Sequence, residues 1–136
     1  MTQTQADAIA PDSEVILALA KAAIAGLPVA YRVAAEAVAL QVRDLAEPEI
    51  LEALEIADPY ELTGLYDGVP LTERSVSDQP MQPDQIWLFR LPILEEWIDR
   101  GDVSLGELVA HVFIHELAHH FGWTDADIAR IDPWWE

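Results

Sequence analysis

The hydrophobic positions of the chain change period several times, and each change marks an element. Over residues 13–25, Val15, Leu17, Leu19, Ala22 and Ile24 supply apolar surface for a first helix. Gly26-Leu27-Pro28 interrupts it, and Pro28 suits the opening of a second, short helix carrying Tyr31 and Val33. Then the period drops to two. Val38, Leu40 and Val42 alternate with Ala39, Gln41 and Arg43, as in a half-buried strand. A single helix over 28–43 is the alternative, because alanine is abundant there. Glu47-Pro48 starts another short helix, with Leu51 and Leu54 inward, that ends near Asp58-Pro59. Residues 63–66 read as a strand and Asp67-Gly68 as a tight turn. Residues 69–71 read as a return strand that Pro70 confines to a sheet edge. Residues 73–84 are polar and contain Pro80 and Pro83; a loop of that length in a small domain is often functional. Ile86, Trp87, Leu88 and Phe89 make 85–90 a strong strand, and Pro92 opens a helix that Gly101 closes.

The last helix differs from the others. Ser104-Leu105-Gly106-Glu107 has the form of a capping box, and Gly122 suits a left-handed stop. Between them Leu108, Val109, Val112, Phe113, Ile114, Leu117 and Phe121 go most of the way round, as in a buried helix. The polar stripe that remains is His111, His115, Glu116 and His119. Such groups are costly to bury unless something binds them, and a divalent metal is the simplest binder. His115-Glu116-Leu117-Ala118-His119 is HExxH. Residues four apart on a helix lie one turn above each other, so both imidazoles can meet one ion. Glu116 borders the same side and is placed to reach a water on the ion, as a general base.

Gly122 lets the chain fold back, so a third ligand is expected beyond it. Asp125 lies six residues after His119 and gives HExxHxxGxxD, the metzincin spacing with Asp in place of the last His. Two imidazoles and one carboxylate leave the fourth zinc position open, as catalysis requires. Asp127 competes, since Thr124-Asp125-Ala126-Asp127 also resembles a helix start. His111 reads as a neighbour filling space beside the ligands, with ligation in place of Asp125 as its alternative. His120 points away from the site and reads as an ordinary packed or surface side chain. Tyr66 and Arg90 are candidate oxyanion donors; their plainer readings are a core-edge aromatic and a surface charge.

On these residues the chain resembles the small bacterial zincin-like metallopeptidases. The matching segments are the HELAHHFGWTD run from His115, the LYDGVPL run from Leu65 and the QIWLF run from Gln85. The Leu27-Pro28 break followed by Tyr31 also fits, and the likeness runs from about Glu14 to about Arg130. It implies an α+β, minimal zincin-like fold: a small sheet of about three strands packed against helices that include the HExxH helix. It also implies a zinc site, while bringing no known substrate. By the same resemblance an edge strand, from 85–90 or 69–71, pairs with an extended peptide. The chain departs from the larger metzincins in one respect. They carry a methionine turn after the third ligand, whereas Met1 and Met81 are the only methionines here.

Composition adds bounds. At 136 residues, half of them apolar, one domain over 13–136 is expected behind a disordered polar tail at 1–12. The absence of cysteine excludes disulfides and thiolate metal sites. Seven basic against 25 acidic residues, a net charge of −18, disfavour nucleic acid or an anionic membrane as partner. Residues 1–14 lack a signal peptide's basic start, and the apolar run at 15–30 is too broken and short to span a bilayer, so a cytoplasmic protein is expected. Trp134-Trp135 reads as a hydrophobic anchor for the C-terminus. The function expected is a zinc-dependent peptidase acting on a peptide or protein substrate. The alternative is a module on the same fold that binds metal or a partner without turnover.

Overall fold

A computed structural model describes residues 10–68 and 84–122. Helix α1 spans Ser13–Ala25, and Asp12 caps it by accepting from the Val15 N–H at 3.0 Å. Ile16 and Ala20 face inward and are fully buried. After the break at Gly26, Pro28 caps α2 (Val29–Glu36), and the chain enters strand β1 (Ala39–Arg43). The two-residue period therefore prevails over the alanine content, and the single helix over 28–43 is excluded. Helix α3 (Pro48–Ala53) ends before the expected Asp58-Pro59 boundary. Glu55 has φ 58°, a left-handed turn that stops the helix, and a separate 3₁₀ turn follows at Pro59–Glu61. Leu54, at the end of α3, is 44 % exposed rather than inward.

Strands β2 (Gly64–Asp67) and β3 (Gln85–Phe89) complete a three-stranded sheet in the order β1-β3-β2. β3 is parallel to β1 and antiparallel to β2. It is therefore the central strand, with both edges taken, and the expectation that 85–90 receives a substrate strand is overturned. The return strand expected at 69–71 lies outside the described residues, as do the loop residues before Asp84, the Trp134-Trp135 pair and most of the expected tail. Two residues assigned to that tail are engaged with the body: Asp12 caps α1, and the Pro11 carbonyl accepts from Arg90 Nη1 at 3.2 Å.

Helix α4 (Arg90–Arg100) follows β3 without a linker, two residues before Pro92. The end of β1 holds its start: Leu91 N–H donates to the Asp44 carbonyl, and Arg90 Nε donates to the Asp44 carboxylate at 2.7 Å. Gly101 ends it with φ 73°, a conformation that favours glycine. Trp97 Nε1 donates to the Val103 carbonyl and steers the chain into α5 (Leu105–His120).

The core lies between the sheet and the α1–α5 pair. Ile86 and Leu88 of β3 are fully buried against Leu108, Val109, Val112 and Phe113 of α5 and Ile16 of α1. Leu40 and Val42 of β1 and Tyr66 of β2 pack against the same cluster. These are alternate strand residues, as one covered sheet face demands. α5 thus runs beneath the sheet with its apolar sides enclosed, and the polar stripe comes to the surface beside β2.

Candidate metal centre

The capping box of α5 is complete. Glu107 N–H donates to Ser104 Oγ at 3.0 Å, and Ser104 N–H donates to Glu107 Oε1 at 3.1 Å. That backbone N–H holds the Glu107 carboxyl below the usual carboxylate range. At the other end Gly122 has φ 83°, and its N–H donates to the His119 carbonyl at 2.9 Å. Both ends expected of this helix are present, and its buried apolar residues turn the polar stripe outward.

On that stripe a ligand atom from each of His115, Glu116 and His119 lies within 4.8 Å of the other two. The His115 and His119 ring centroids are 5.0 Å apart, and all three residues are half-buried. The donor set fits zinc: ring nitrogens from successive turns and a carboxylate oxygen come together. His111 stands a turn earlier, its ring centroid 6.2 Å from that of His115, and is outside the group of three. Among the described residues this is the one cluster of such groups able to hold a metal. Asp125 and Asp127 lie outside the described residues.

Strand β2 closes one side of the centre. A Cβ on Gly64 would meet Val112 Cγ1 at 2.8 Å, Glu116 Cγ at 3.2 Å and the Trp87 carbonyl at 3.3 Å. Glycine is therefore what lets the strand backbone rest on the helix at Glu116. A cavity of about 300 Å³ opens beside this contact, lined by Glu61, Thr63, Gly64, Glu96, His111, His115 and Glu116. On the other flank of the stripe, Leu27, Pro28, Tyr31, Ile114, Ala118 and Phe121 line an apolar cavity of about 240 Å³.

The two candidate oxyanion donors have other partners. Arg90 is paired with Asp44 and with the Pro11 carbonyl. Its guanidinium holds the Asp44 carboxyl below the usual range. Tyr66 faces α5 one turn beyond Glu116. Its hydroxyl donates to Asp84 Oδ2 at 2.6 Å and lies 3.2 Å from His120 Nδ1. His120 Nδ1 is itself 2.9 Å from that same oxygen. His120 is thus turned away from the stripe as expected, yet it is not an ordinary packed side chain: with Asp84 it forms a buried polar cluster. Sequence reading missed Gly64, Asp84 and His120. Only Gly64 carried a local signal, an isolated glycine within a strand.

A family model described as zincin-like metallopeptidase matches residues 35–135, about three-quarters of the chain. The sheet, α5 and its HExxH motif all fall within that match. The chain belongs to the zincin-like metallopeptidase family. No curated protein matches it. None of its described helices is long and apolar enough to cross a membrane.

Proposed function

We propose that the chain is a zinc-dependent peptidase. The observation that carries this reading is the convergence of His115, Glu116 and His119 beside the edge strand β2, with Gly64 against Glu116. His115 and His119 would hold the ion, and Asp125, six residues after His119, would complete the set. A zinc ion held there would supply Lewis acidity to a peptide carbonyl and to a water, whose pKa it would lower towards about 7. Glu116 takes the proton from the attacking water and passes it to the leaving amine.

Among the described strands β2 pairs with β3 alone, and this reading has an extended peptide align along the same sheet by backbone hydrogen bonds. The apolar cavity around Tyr31 and Phe121 has room for a large apolar side chain of that peptide. The charge of −18 argues against nucleic acid and anionic membranes as partners and leaves a peptide or protein as the substrate of this reading.

The test is a metal assay on protein purified without chelator, followed by cleavage of a broad peptide library. Wild type should carry one zinc and cleave. Glu116→Gln should keep zinc and lose cleavage, and Asp125→Ala should lose zinc affinity. A wild-type chain that binds zinc but cleaves nothing refutes the peptidase and favours a binding module on the same fold.

A further inference from the structure

The Tyr66–Asp84–His120 cluster has no part in the chemistry above, yet it is an expensive thing to build. Asp84 and His120 are 7 % and 6 % exposed, and burying polar groups costs stability unless each is hydrogen-bonded. An apolar trio would fill the same space at lower cost, as buried ionic groups are often replaced without loss. The geometry indicates what polar groups accomplish here. The three residues come from three places: β2, the residue that leads into β3, and the last turn of α5. A single atom, Asp84 Oδ2, joins them. A Cβ on Gly68 would lie within 2.5 Å of Asp84 Cγ, so the end of β2 is also fitted closely to this point.

The spacing along the two elements matches. Gly64 and Tyr66 are alternate residues on the helix-facing side of β2, roughly 6.8 Å apart. Glu116 and His120 are one turn apart on α5, about 6.0 Å along its axis. Strand and helix therefore meet at two stations, Gly64 on Glu116 and Tyr66 on His120. The first is a smooth notch of glycine against side-chain carbons, which by itself permits sliding. The second is directional.

We propose that Tyr66, Asp84 and His120 are positioning residues that fix where β2 lies along the metal helix, and thereby hold Glu116 and the final turn carrying His119 in place. None of the three touches the ion on this account. They act through Gly64 on Glu116, and through the α5 backbone on His119. The inference rests on the metal-site reading, and its test does not depend on peptide cleavage.

The experiment loads wild type, Tyr66→Phe and Asp84→Asn with cobalt(II) as a zinc substitute. Visible spectra are recorded well below each protein's melting temperature. The expected result is one equivalent of cobalt in each, with the d–d bands of both variants displaced or changed in intensity relative to wild type. Where peptides are cleaved, kcat should drop roughly tenfold or more with little change in KM, since small misplacements are costly to catalysis. A cluster that only stabilises the fold would lower the melting temperature and leave the spectra and kcat alone, and that result overturns the inference. Should the variants not fold, hydrogen exchange on wild type decides. Coupling is reciprocal, so zinc should slow exchange at Tyr66 and His120 more than at β1. Equal slowing at both overturns the proposal. A wild-type chain without a cobalt spectrum overturns the metal site and this inference together. One that binds cobalt without cleaving peptides refutes only the peptidase, and the spectral comparison still stands.

Discussion

Replacing Gly64 by alanine tests the seat of β2 on α5 most directly. The added methyl would come 2.8 Å from Val112 Cγ1, 3.2 Å from Glu116 Cγ and 3.3 Å from the Trp87 carbonyl. The nearest atom is a branch of a stiff, buried valine, and the carbonyl belongs to the central strand, so neither yields easily. Overpacking of this kind costs about 1–3 kcal/mol. The smaller unfolded-state entropy of alanine returns about 0.4–1 kcal/mol. A net loss of about 1–2 kcal/mol follows, or roughly 3–8 °C in melting temperature for a chain of this size. The decisive assay is a double-mutant cycle with Val112→Ala, followed by denaturant unfolding. Val112→Ala alone should cost about 2 kcal/mol for two lost carbons and the cavity they leave. It also makes room for the Gly64→Ala methyl, so the double variant should be about 1 kcal/mol better than additive. Strict additivity, or a Gly64→Ala protein as stable as wild type, would refute the close approach.

Further outcomes follow from the ends of the elements. Ser104→Ala removes the cap of α5 and should cost about 1 kcal/mol in denaturant unfolding. Arg90→Gln should leave peptide cleavage unchanged and lower stability by no more than about 1 kcal/mol, because Arg90 is committed to a largely exposed Asp44. A large loss of kcat would return Arg90 to the site. In acid, Asp44 and Glu107 both have folded pKa values held below their ordinary ones, by Arg90 and by the Ser104 N–H respectively. Groups of that sign add stability above their unfolded pKa and lose it as pH falls through the folded one. The denaturant midpoint should therefore decline progressively below about pH 5, and Asp44→Asn with Glu107→Gln should flatten that decline.

Where the sequence was informative, a local physical signal existed. Ser104, Glu107 and Gly122 delimited α5 because capping chemistry acts within four residues. The alternation of Val38, Leu40 and Val42 outweighed the alanines because a sheet face reads every second residue. HExxH was legible because its residues lie on one helix, and it took no tertiary information to bring them together. The misreadings have the opposite character. That 85–90 is a central strand depends on β1, some forty residues away in the chain. Arg90 reads as a surface or site cation until Asp44 is seen beside it. Tyr66, Asp84 and His120 span 54 positions, and only the packing of β2 on α5 joins them. Leu54 lies outward at the end of α3, where Glu55 stops the helix at a positive φ with no glycine to announce it.

His119 and His120 stand next to each other in the chain, and each helix residue turns about 100° from the last. One imidazole consequently joins the half-buried cluster with His115 and Glu116 while the other is mortared into the interior. Adding a single residue between Val112 and His115 would swing both by that angle and dismantle the two arrangements at once. Length variation among natural or engineered descendants of this chain should accordingly accumulate outside the sixteen residues of α5.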